Sequence, residues 1–236
     1  MDDKLIAKCA QYANSAYDDS FCTPTSTFIN NLETDTQVHL AVIDDSVVIS
    51  FRGTTNLSDW KTDFTVIRTK SKLFSELAQV HAGFLKAYES VRTDILNFLK
   101  DSNLLKVVLG SHSLGAACQT LCALDIKLTN PKIHVSSVSF GSPRVGNIEF
   151  CNQFNKEVDV SYRCVYERDP ITYTPTFVRF RHVKGMTKYN KNGTCVHNEK
   201  YIFPCGCCIS HHSMDSYCKV TQYICEKTAG VNSARV

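Results

Sequence analysis

Apolar residues fall along this chain in two kinds of run. VVISF (47–51) and VVLG (107–110) are short, β-branched and closely followed or ended by glycine, which reads as buried strand. HVSSVSF (134–140) and SYRCVYE (161–167) are further strand candidates. Between the first two strands, GFLKAYESVRTDILNFLKD (83–101) spaces Phe84, Tyr88, Val91, Ile95 and Phe98 by three and four, which makes one apolar helical face. Past 107–110, AACQTLCALDIKL (116–128) supplies helix formers with Leu121, Leu124 and Leu128 on one side. Strand alternating with helix predicts an α/β fold: a mostly parallel central sheet flanked by helices.

Length and charge narrow the picture. With 236 residues, 43% of them hydrophobic, the chain can bury a large core, and a single domain over 1–236 is expected. The 26 basic and 23 acidic residues are interspersed, so no nucleic-acid partner is expected. No apolar stretch approaches the roughly 18 residues of a membrane-spanning helix. The start, MDDKLIAKCA, lacks the basic and apolar regions of a signal peptide, which leaves an intracellular or an already processed chain.

In such a sheet, functional groups gather at the carboxyl ends of strands. One strand is expected to end at Gly110, and the turn Ser111-His112-Ser113-Leu114-Gly115 leads into a helix. A strand that reverses into a helix within a few residues strains its central residue and demands small neighbours. Ser113 is that centre, while Ser111 reads as a small spacer. The helix N-terminus beside Ser113 offers free N–H groups, Leu114's among them, to an oxyanion. A second donor is expected from the loop after an earlier strand, and VVISFRGTT (47–55) provides Gly53 for close approach and Thr54 as donor.

A serine nucleophile needs a base, and the base needs a carboxylate to fix its tautomer. The expected chain order is serine, acid, histidine. Asp125, Glu149, Glu157 and Asp159 lie on a helix or ahead of a strand, whereas Asp169 in "ERDP" follows one and opens a loop. Asp169 is therefore the acid candidate. His182 sits in an alternating segment and reads as a satisfied strand histidine, and His197 follows a Gly/Asn loop. In "SHHSMDSYC" spacing alone leaves His211 and His212 both open, with His212 preferred as the base.

Taken together these residues resemble the class 3 triacylglycerol lipases of fungi and plants, within the α/β-hydrolases. The resemblance runs through "YANSAY" (12–17), "FRGT" and "DWKTDF" (51–64), "VHAGFLKAY" (80–88), "GSHSLGAA" (110–117), "LCALD" (121–125), "FGSPRVGN" (140–147) and "YRCVYERDP" (162–170). It implies a Ser113, Asp169, His212 triad, an oxyanion hole at Thr54 and Leu114, and no cofactor. His212 with Tyr217 fits the family's His-x-x-x-x-Tyr setting. The segment after Thr54 resembles the family's lid, where Leu57, Trp60 and Phe64 share a helical face; the alternative is a structural helix with a core-facing stripe. Three positions depart from the pattern: Ser111 stands for the usual glycine, Ile171-Thr172 for Val-Pro, and the tail 195–225 is rich in cysteine.

The chain holds twelve cysteines. Cys118, Cys122 and Cys164 read as buried thiols. The resemblance implies a staple from Cys22 to Cys218 or Cys225, hence an oxidising, secreted or lumenal setting, which the sequons at Asn56 and Asn192 permit. A competing reading takes Cys195, His197, Cys205, Cys207, Cys208, His211 and His212 as zinc ligands of a catalytically silent binding module. The leading expectation is a serine ester hydrolase acting on acylglycerols, with lipid ester as partner, at a lipid-water interface. The alternative is a phospholipase A1 or other carboxylesterase, kept open by the basic stretch RHVKGMTKYNK (181–191).

Overall fold

The structure is a computed structural model that describes residues 1–18, 26–54, 67–175, 179–193, 195–197 and 208–233. Its main sheet contains β1 (Ser26–Asn31), β2 (Thr36–Ile43), β3 (Ser46–Phe51), β6 (Lys106–His112), β7 (His134–Phe140), β8 (Val160–Tyr166), β9 (Met186–Tyr189) and β10 (Cys195–His197), side by side in that order. The run from β3 to β9 is parallel throughout, while β1, β2 and β3 form an antiparallel meander at one edge and β9 with β10 a hairpin at the other. Two short strands, β4 (Arg68–Thr69) and β5 (Val80–His81), pair separately. Among the described residues the α-helices are α1 (Asp3–Ser15), α2 (Ala82–Ser102), α3 (Ser113–Thr129), α4 (Ile148–Glu157) and α5 (Met214–Ser233). Among the described residues no helix is long and apolar enough to cross a membrane.

The strand period of two divides the core between the two faces of the sheet. On β7, Val135 joins the side packed by α2, α3 and α4, whereas Val138 and Phe140 join Ile6, Cys9, Ala10 and Ala13 of α1 and Met214, Tyr217 and Val220 of α5. Gly110 lets α1 lie directly on β6, since a Cβ there would stand 2.7 Å from the Cys9 carbonyl oxygen. On α2 the expected face is buried at Phe84, Tyr88, Val91 and Ile95, and Leu99 rather than Phe98 completes it.

Two expectations need correction. α3 does not carry a single apolar side: Gly115 through Ile126 are all buried, because the helix is enclosed by the sheet, α2 and α4. The strand before it does not stop at Gly110 but runs to His112, and the helix begins at Ser113 itself. The reversal is thus concentrated in one residue, Ser113, whose φ of 58° lies in the left-handed region.

Candidate active site

The carboxyl ends of β6, β7 and β8 lie next to one another and lead into Ser113, Gly141 and the loop of Asp169. His212 arrives on a short 3₁₀ turn, Ile209–His212, just ahead of α5. The structure brings Ser113, Asp169 and His212 together. His212 Nε2 is 2.7 Å from Ser113 Oγ, and its Nδ1 is 2.8 Å from Asp169 Oδ2. All three are buried, at 1%, 0% and 2% exposure. With Nδ1–H donating to the carboxylate, Nε2 is left as the acceptor of the serine proton.

Asp169 is held by more than the histidine. The Ile171 N–H donates to Oδ1 at 2.9 Å, and Tyr217 Oη donates to Oδ2 at 2.7 Å. Tyr217 Oη in turn accepts the Tyr166 N–H at 3.0 Å, so one hydroxyl ties α5 both to the end of β8 and to the acid. Gly141, at φ 59°, lies against this pair. A Cβ there would stand 2.8 Å from Asp169 Oδ2 and 2.9 Å from both Nδ1 and Cε1 of His212. The glycine of "FGSPRVGN" is therefore required both by its backbone conformation and by the space the acid and base occupy.

The His212 ring packs on a second histidine. The rings of His112 and His212 are 4.4 Å apart and tilted by 32°. His112 Nδ1 is 2.8 Å from Tyr17 Oη. Burial pushes the Tyr17 phenol well above its ordinary range, so it donates. Burial first, and then repulsion from His212, push His112 well below the usual imidazole range, so it accepts as a neutral ring. Neither Tyr17 nor His112 was assigned a role from the sequence; the available signal was their place in "YANSAY" and in "GSHSLGAA".

The oxyanion candidates share one small space. Gly53, Thr54 and Leu114 line a cavity of about 180 Å³, together with Asp35, Gln37 and Arg52. The first-turn N–H groups of α3 have no intrahelical acceptor. Asp2, His81 and Asn147 cap the N-termini of α1, α2 and α4 with their side chains, whereas His112 places none on α3. Anion-binding capacity thus remains next to Ser113.

Other expected groups fall elsewhere. His211 Nδ1 accepts the Arg168 N–H at 3.3 Å and its ring meets the edge of Tyr166, away from Ser113. His182 is partly buried, with Nε2 bonded to the Thr172 carbonyl at 2.7 Å. Leu57, Trp60 and Phe64, expected on a lid, lie outside the described residues, as do Cys22, Cys205 and Cys207. Among the described residues no disulfide involves Cys218 or Cys225, and Cys22, the other end of the expected staple, lies outside them. α1 and α5 pack directly, with Cys218 Sγ 3.4 Å from the Ala10 carbonyl. Among the described residues no three or more His, Cys, Asp or Glu side chains converge as metal ligands. Both nitrogens of His212 are already engaged, which leaves that ring no free lone pair for zinc.

A sequence model of the class 3 lipases matches residues 48–179. A secreted mono- and diacylglycerol lipase 1 of Fusarium solani is 33% identical over 141 residues, which cover 58% of this chain and 41% of that one. A chloroplastic phospholipase A(1) DAD1 of Arabidopsis thaliana is 36% identical over 152 residues, covering 56% and 34%. The solved structure of lipase II from Rhizopus niveus superposes with a TM-score of 0.68 at 26% identity, covering 78% of both chains. The chain spans about two-fifths to a half of the length of the curated relatives it matches first.

Proposed function

From a chain that belongs to the class 3 lipase family, we propose a serine carboxylic ester hydrolase that cleaves acylglycerols. The observation that carries this reading is the continuous bond path from Ser113 Oγ through His212 to Asp169. Ser113 Oγ attacks the ester carbonyl as His212 Nε2 takes its proton, and Asp169 holds the resulting imidazolium. The oxyanion is stabilised by the Leu114 N–H and by Thr54. His212 then gives its proton to the departing alcohol, and water, activated by the same ring, releases the acid from the acyl-enzyme. The lipase names of the fungal relatives support glycerides as the substrate class.

A second substrate reading is favoured by the likeness to a plant phospholipase A(1), which shares the acyl-ester chemistry and differs in head group. The relatives named as secreted support secretion. Release of the tagged full chain into the medium decides that point.

Hydrolysis of mono-, di- and triacylglycerol and of phosphatidylcholine is to be measured with wild type, Ser113→Ala, His211→Ala and His212→Ala. Ser113→Ala and His212→Ala are expected to lose at least about 10⁴-fold in kcat, and His211→Ala little. A fully active Ser113→Ala refutes the mechanism; glyceride turnover without phospholipid turnover excludes the second reading.

A further inference from the structure

The sequence offers Ser111 only as a small residue near the nucleophile, yet its hydroxyl is used. The parallel ladder between β3 and β6 pairs Val47 with Val107, Val48 with Val108 and Ile49 with Leu109, and goes no further. Past that point two serine side chains continue the attachment. Ser50 Oγ donates to the Gly110 carbonyl at 2.6 Å, and the Phe51 N–H donates to Ser111 Oγ at 2.9 Å. Ser111 is fully buried and Phe51 nearly so, so this N–H has no access to water. Beside them Gly115 of α3 closes on the same stretch, since a Cβ there would collide with the Phe51 carbonyl oxygen and stand 2.9 Å from that of Arg52.

These contacts lie between the two halves of the chemistry. Thr54 follows Phe51 by three residues on the strand exit, and Ser113 follows Ser111 by two. Any drift of the β3 exit away from β6 moves the Thr54 donor relative to the nucleophile, while leaving Asp169 and His212 in place. Electrostatic stabilisation of an oxyanion depends steeply on donor position, because only donors already aimed at the developing charge avoid reorganisation.

We infer that Ser111 is a positioning residue for the oxyanion hole: its hydroxyl, by accepting the Phe51 N–H, fixes the β3 exit and hence Thr54 against the nucleophile strand. This rests on the ester-hydrolase reading above. It differs from a purely structural role in one measurable respect. A buried N–H that merely loses its acceptor lowers stability, whereas a displaced oxyanion donor lowers the rate only for substrates that depend on it.

The test compares a soluble oxo ester, p-nitrophenyl butyrate, with its thiono analogue, whose C=S accepts hydrogen bonds weakly and gains less from the oxyanion hole. Rates are taken per active site, titrated with a fluorophosphonate, for wild type, Ser111→Ala and Ser50→Ala. Ser111→Ala is expected to lose about tenfold in kcat on the oxo ester with KM within about twofold, and the oxo-to-thiono ratio is expected to fall by a similar factor. An unchanged ratio, whether both rates fall together or neither falls, overturns the proposal. Should Ser111→Ala fail to fold, Ser111→Cys keeps a weaker acceptor of similar size, and its ratio must fall as well. The failure of the ester-hydrolase reading looks different: there Ser113→Ala retains the hydrolysis.

Discussion

Gly141→Ala places one methyl group where the acid and the base already stand. Its effect has two parts. At φ 59° an alanine is held in the left-handed region, at about 1–2 kcal/mol. The new Cβ would lie 2.8 Å from Asp169 Oδ2 and 2.9 Å from two atoms of His212, about 0.6 Å or more inside ordinary contact. Relief of such overpacking typically costs about 1–3 kcal/mol. The sum, about 2–5 kcal/mol, lowers Tm by about 5–15 °C for a chain of this length. The site feels it differently. His212 is fixed on one side by the His112 ring and by Ser113, so it yields by roughly half an ångström, and a shift of that size is worth about tenfold in kcat. KM is expected to change little. The assay is hydrolysis of a soluble ester per titrated active site, alongside thermal unfolding. Gly193→Ala is the control: φ is 76°, and its Cβ would stand 2.7 Å from the half-exposed Tyr223 ring, remote from the triad. It should lose stability and keep kcat. A folded Gly141→Ala enzyme with the wild-type kcat refutes the reasoning.

Two further outcomes follow from buried groups. Tyr217→Phe removes the donor to Asp169 and orphans the Tyr166 N–H, which should cost about 2–4 kcal/mol of stability in urea unfolding and lower kcat severalfold; an unchanged midpoint counts against the bond pair. His81, His112 and His182 are each held neutral, burial being the first cause, with His81 lowered to about 4 and the other two well below the usual range. In the unfolded chain they titrate near about 6.5. The folded pKa is depressed, so the unfolded state takes up protons first; stability is complete above about pH 6.5 and is lost as pH falls toward 4. His81 alone accounts for on the order of 3 kcal/mol across that window. Urea midpoints at pH 7.5 and pH 5 test this, and His81→Asn, which keeps a cap acceptor for the Phe84 N–H, should reduce the difference by the share of His81 and leave that of His112 and His182. Equal midpoints for wild type at the two pH values exclude the assignment.

The strands at the centre of the sheet were legible because burial on both faces leaves continuous β-branched runs, and 47–51, 107–110, 134–140 and 161–167 each fall on an observed strand. What periodicity did not show was the surroundings of each element. The leucines of α3 read as a stripe, yet the residues ahead of Leu121, Ala116, Ala117, Cys118, Gln119 and Thr120, are buried much as Leu121 and Leu124 are. Small and polar side chains carry no hydrophobic signal, so a helix enclosed on every side looks one-sided in sequence. Likewise β1 and β2 form an antiparallel edge whose pairing depends on contacts that no local pattern records.

The site divides along the same line between chemistry and support. Ser113 and Asp169 can be singled out because reactive side chains at strand ends are few, and the order along the chain narrows the base to the pair His211 and His212. His211 and His212 could not be separated by spacing, since adjacent residues on a 3₁₀ turn point in different directions and only packing selects one. His212 faces inward onto His112 and Asp169, while His211 meets Tyr166 and the Arg168 backbone. The supporting groups were hidden for a different reason. Gly141 acts through an absent side chain, Tyr17 and Tyr217 act through hydroxyls set far apart in sequence from what they bind, and Ser111 acts by accepting a backbone N–H. Each of these is a requirement of placement rather than of reactivity. The reversal at Ser113 leaves no spare residue between strand and helix, so whatever holds β3, β7 and α5 against that one point also sets the distances on which the chemistry depends.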